Sequence, residues 1–73
     1  MDITYTITQT MRPNGALIKM EAWESNEETH YIVTNSKNFD TRYYYTYSEA
    51  VEHYNDQVIK ENKEGKQWIN QLN

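Results

Sequence analysis

The residues with most scope for chemistry lie between Thr41 and Asn55, in the run TRYYYTYSEAVEHYN, which holds five of the seven tyrosines and one of the two histidines. Three chemistries fit such residues. On a helix, Glu49, His53 and Asp56 would share one face, from which a metal site could be drawn. Hard ligands on an exposed helix hold metal weakly, and no H-E-x-x-H pattern accompanies them, so neither metal nor cofactor is expected. Acid–base or nucleophilic catalysis needs more than this chain offers. It has no cysteine, only two glycines and no G-x-S-x-G, and a small sheet with one helix encloses little space that excludes water. No catalytic residue is expected, and the chain reads as a non-enzyme. The third chemistry is contact: exposed aromatic rings stack nucleic-acid bases or anchor a protein interface.

The contact reading gathers residues from beyond the run. Leu17 and Trp23 join Tyr43, Tyr44 and Tyr45 as apolar anchors, and Glu21, Glu24, Glu27 and Glu28 form an acidic rim. With Glu49, Glu52 and Asp56, those glutamates could build a negative surface for a basic partner groove. Each feature has a plainer explanation beside it. Thr, Tyr and Trp form cross-strand pairs that stabilise an open sheet face, and glutamates at a hairpin tip are ordinarily just solvated. Stacking of bases needs flanking cations, and only Lys19, Lys37 and Arg42 stand near these aromatics. His30 reads as a half-buried strand residue.

These side chains need elements to position them. DITYTITQT alternates with period two, Ile3, Tyr5 and Ile7 facing one way and Thr4, Thr6, Thr8 and Thr10 the other, which predicts a strand. RPNG at 12–15 predicts a hairpin turn, with Pro13 presetting φ and Asn14-Gly15 supplying positive φ. ALIKMEAWES follows as a second strand, with Ile18, Met20 and Ala22 on one face and Leu17, Lys19, Glu21 and Trp23 on the other. SNEE closes a second hairpin into THYIVTN, SKNFD reads as a loop, and TRYYY as a short fourth strand or an extended lead-in. Tyr43 and Tyr45 then share a face, with Tyr44 opposite.

Thr46-Tyr47-Ser48-Glu49 predicts a capped helix start, with Glu49 reaching back to the cap and Tyr45 stapled onto Ala50. Tyr47, Val51, Tyr54 and Val58 recur at helical spacing. Acids fill the first half and lysines the second, as the helix dipole favours. Gly65 fits a C-terminal stop, but Trp68 or Ile69 and Leu72 stay in phase, so continuation or a fold-back over the sheet are both open. The expected class is α+β: a three- or four-stranded antiparallel sheet, β-β-β-(β)-α, with one C-terminal helix packed on one face.

Residues 1–73 suit a single small domain with a marginal core, since a chain this short buries only ~60% of its unfolded surface. Without cysteines no disulfide supports it; ten aromatic residues, two Trp, seven Tyr and one Phe, supply much of the apolar area. Residues 1–10 carry neither the basic nor the apolar stretch of a secretory signal, and no apolar run reaches the ~18 residues of a membrane helix. The cytoplasm is therefore the expected location, with no membrane partner. The net charge of −4 argues against electrostatic capture of nucleic acid.

Three strands and a helix opened by T-Y-S-E-A are similar in topology to the arm-type DNA-binding domains of phage integrases. Those domains are basic where this chain is acidic, and no functional residue carries over. The function expected from the residues is a small acidic protein-binding module, an inhibitor from a phage or mobile element that occludes a larger host protein. The alternatives are a self-associating domain whose open face makes a homodimer, and a nucleic-acid binder using sheet aromatics.

Overall fold

Four strands and a helix follow one another in a computed structural model that describes residues 2–72, with side chains described for 2–62. The strands are β1 (Ile3–Met11), β2 (Leu17–Glu24), β3 (Thr29–Asn35) and β4 (Asp40–Tyr44), and the helix is α1 (Tyr47–Leu72). They form an antiparallel meander in the order β1-β2-β3-β4, so a fourth strand forms, over Asp40–Tyr44 with Tyr45 just beyond it, and both β1 and β4 are edges. The architecture is α+β, with α1 on one face of the sheet, over β2, β3 and β4. The bounds of α1 carry it past Gly65, and the side chains of Trp68, Ile69 and Leu72 lie outside those described.

Period two in β2 does as its spacing predicts. Ile18, Met20 and Ala22 are buried beneath α1, and their register aligns them with Asn35, Val33 and Tyr31 of β3. Met20, Val33 and Ala50 form the centre of the core, with Ile7, Tyr31, Tyr44, Val51 and Tyr54 packed around it. In β1 the alternation breaks. Thr6 pairs with Glu21 and Thr8 with Met20, leaving Ile7 as the extra residue of a β-bulge. A bulge shifts the phase of every later side chain, so Thr8 and Thr10, expected opposite Ile7, join it on the helix side.

The turns account for their own backbone groups. Arg12 N–H donates to Ala16 O at 2.7 Å and Gly15 N–H to Arg12 O at 2.9 Å. Gly15 takes φ +89°, whereas Asn14, expected to share the positive φ, does not; its Oδ1 accepts Ala16 N–H at 3.0 Å instead. At the β2–β3 turn the Ser25 hydroxyl donates to Glu28 O at 3.1 Å. Thr46 caps α1 through Glu49 N–H at 3.4 Å, and its hydroxyl donates to the Glu49 carboxylate at 2.6 Å. Glu49 thus meets the side chain of the cap, where a capping box would have it accept the cap's backbone N–H.

The far half of the helix–sheet interface is polar. Glu61 is 1% exposed, and its carboxylate accepts Asn14 Nδ2 and Asn35 Nδ2, each at 2.8 Å, with Lys37 Nζ at 3.9 Å. Asn35 Nδ2 also reaches Gln57 Oε1 at 2.8 Å, and the Arg12 guanidinium donates to Asn62 Oδ1. One helical turn is thereby tied to the β1–β2 and β3–β4 turns at once.

Candidate functional site

The strand register decides which aromatics reach the face that α1 leaves open. Trp23 pairs with His30 and Thr4, and Ile32 with Tyr43 and Glu21, so these residues rise from the uncovered side in adjacent rows. Tyr45, just beyond β4, turns its ring edge onto His30, with centroids 4.7 Å apart, and the Trp23 ring lies 5.0 Å from His30 on its other flank. Aromatic pairs in such tilted and edge-on arrangements contribute about 0.5–1.5 kcal/mol each beyond their buried area. Trp23, His30, Tyr43, Tyr44 and Tyr45 line a shallow cleft of about 200 Å³. Tyr43 is 66% exposed and Tyr45 73%. Among the described residues nothing covers this face.

His30 is held tightly for a residue of an open sheet. Its side chain is 16% exposed, and Nε2 makes no hydrogen bond, although the Glu28 carboxylate lies 3.4 Å away. A buried ring nitrogen without a partner is uncommon, because leaving it unpaired costs about 1–3 kcal/mol. Nothing in the sequence marked His30 as the centre of the cluster. Its register opposite Trp23 is the signal that places it there.

The predicted anchors and rim divide between two faces. Leu17, Trp23, Tyr43 and Tyr45 lie on the open side, Leu17 at its opposite end against Met11. Tyr44 turns to the helix side, packs on the core and sets its ring 5.6 Å from that of His53. Tyr45, expected to staple onto Ala50, contacts His30 instead, because β4 delivers it to the face away from the helix. Glu21 stays on the open face, and Glu27 and Glu28 are exposed at the β2–β3 tip. Glu24 does not join them: it lies on the helix side and accepts the Tyr5 hydroxyl at 2.5 Å. That bond to Glu24, more than any burial, raises the Tyr5 pKa above its ordinary value.

The acids of α1 lie on the helix layer, whereas Glu21 lies on the open face of the sheet and Glu27 and Glu28 at the β2–β3 tip. Glu49, Glu52, His53 and Asp56 line a separate cleft of about 230 Å³ with Tyr44, and His53 Nε2 lies 3.3 Å from the Asp40 carboxylate. Although Glu49, His53 and Asp56 do share a helix face, no group of His, Asp and Glu poised to hold a metal occurs among the described residues. No helix among the described residues is long and apolar enough to cross a membrane.

Comparison with protein-family models, with curated proteins and with solved structures finds no match for the chain.

Proposed function

We propose that the chain is a small, acidic, non-enzymatic protein-binding module that contacts its partner through the open sheet face. Trp23, His30, Tyr43 and Tyr45 are its anchors, Ile32 extends the apolar surface, and Glu21, Glu27 and Glu28 supply the rim. The observation that carries this reading is the contiguous aromatic cluster on a sheet face that nothing among the described residues covers. Trp and Tyr are the side chains that most often dominate binding energy when a partner desolvates them. Flanking glutamates steer such a surface toward a basic groove on the partner. A module of this size acts by occlusion, lying over the functional surface of a larger protein, which is the mode of action of a phage or mobile-element inhibitor.

Charge favours protein over nucleic acid as the partner. Among the described residues Lys19 is the only lysine or arginine at a strand position on the open face, since Arg42 lies on the helix side beside Asp40. A phosphate backbone needs several such cations.

Affinity capture with three proteins tests the reading: wild type, Trp23→Ala/Tyr43→Ala on the open face, and Glu52→Ala/Ile59→Ala on the outer side of α1. Each lost anchor is expected to weaken binding by about 2 kcal/mol, roughly 30-fold. The partner should follow wild type and the helix variant and vanish from the open-face variant. A partner retained by the open-face variant at full strength sinks the proposal.

A further inference from the structure

The two edges of the sheet are unlike. β4 has five residues and carries Asp40 and Arg42, the short, charged form that discourages further strand pairing. β1 is the longest strand, nine residues of ITYTITQTM with no charge and no proline, and its outer backbone groups face no other strand among the described residues. Ile3 and Tyr5, on its helix side, are 53% and 46% exposed, because α1 lies over the other three strands. An uncharged edge of this length is a template for another strand, since its unpaired N–H and C=O groups form a ready-made ladder.

We infer that β1 pairs antiparallel with β1 of a second copy of this chain, joining two four-stranded sheets into one of eight strands. The bulge limits the registers that a second copy can take. It leaves Ile7 and Thr8 both on the helix side, with Thr4, Thr6, Gln9 and Met11 on the open side and Tyr5 and Thr10 on the helix side. Consider the register that sets Ile7 opposite the partner's Thr8. Tyr5 then meets the partner's Thr10, Thr6 its Gln9, and Thr4 its Met11. Every pair joins two residues of the same face, and the two adjacent helix-side residues at the bulge, Ile7 and Thr8, meet Thr8 and Ile7 of the other copy. The ends agree as well, since Asp2 precedes the strand and Arg12 follows it, so an antiparallel pair brings the acidic end of each copy beside the basic end of the other.

The two-fold axis of such a pair stands perpendicular to the sheet. Both helices therefore lie on one side and both open faces on the other, where the two aromatic clusters form a bivalent surface. This dimer does not depend on the open face as a binding site, and it differs from a dimer closed by that face.

The absence of cysteine makes the register directly testable. In Thr6→Cys/Gln9→Cys the two thiols of one chain stand about 10 Å apart along the strand, too far to bridge, whereas each faces the other type across the dimer. Mild oxidation should yield a covalent dimer at least tenfold faster than for Thr4→Cys/Gln9→Cys, whose thiols are out of register. Sedimentation of the wild type from about 10 µM to about 1 mM, the range suited to a small interface, should show a monomer–dimer equilibrium. Trp23→Ala/Tyr43→Ala should leave that equilibrium unchanged. Equal oxidation rates for the two cysteine variants, a wild type that stays monomeric throughout, or a dimer lost with the open-face variant would each overturn the inference. Because sedimentation uses the unaltered chain, it decides the matter even if a cysteine variant fails to fold.

Discussion

Glu61 is a carboxylate that has left water almost completely, at 1% exposure. Taking such a group out of water costs several kcal/mol unless partners replace its hydration. The amides of Asn14 and Asn35 and the Lys37 ammonium do so here, Asn14 and Lys37 from turns and Asn35 from the end of β3. Glu61→Ala would take one acceptor from each asparagine amide, with Asn35 Nδ2 keeping Gln57 Oε1, and the loss of such a buried bond costs about 1–3 kcal/mol. The melting temperature should therefore fall by roughly 4–8 °C for every kcal/mol lost in a domain of this size. Asn35→Ala added to Glu61→Ala should cost less than the two separately, because they share one bond. An unchanged melting temperature in Glu61→Ala would show that the network does not hold the helix. Nothing in Lys60-Glu61-Asn62 announces this role, since the run reads as a solvated helix face. Which glutamate is buried follows from where Asn14 of the β1–β2 turn and Asn35 at the end of β3 end up, and that is a long-range fact.

At the scale of elements, β2 was legible because its alternation is strict and both of its neighbours are strands. The helix start at Thr46 was legible because a cap is a local device. Three features were not. The bulge at Ile7 leaves no mark in an alternating Thr-rich strand, yet it moves Thr8 and Thr10 to the other face. The faces of β3 were ambiguous because Tyr31, Ile32 and Val33 are all apolar, and only pairing with β2 assigns Ile32 to the open side. The third is Phe39, which closes the β3–β4 turn at φ 58° with 88% of its surface exposed. A left-handed conformation costs a residue with a Cβ about 1–2 kcal/mol, while asparagine adopts it readily. Phe39→Asn should accordingly raise the melting temperature by several degrees, as thermal denaturation followed by circular dichroism will measure. A fall would mean that the exposed ring makes a contact the turn relies on.

Among the described residues the molecule is a single sheet with one helix on one side. Ala16, Ile18, Met20, Ala22, Val33 and Ala50 are its fully buried apolar residues among those described, a small core for a chain of 73 residues. A sheet stabilised from one side alone gains from any second layer, and the aromatic cluster of the open face is built to accept one. The split of Tyr43 from Tyr44 follows from period two. That Tyr43 is the open one rests on the register of β3 against β4, and that His30 joins it rests on the register of β3 against β2. Photo-crosslinking tests the central claim most directly. A photoreactive phenylalanine analogue replaces Tyr43 in one protein and Glu52, on the outer side of α1, in another, each irradiated in the presence of the partner recovered by capture. The account predicts a covalent adduct from position 43 and none from position 52; an adduct from position 52 alone would contradict it.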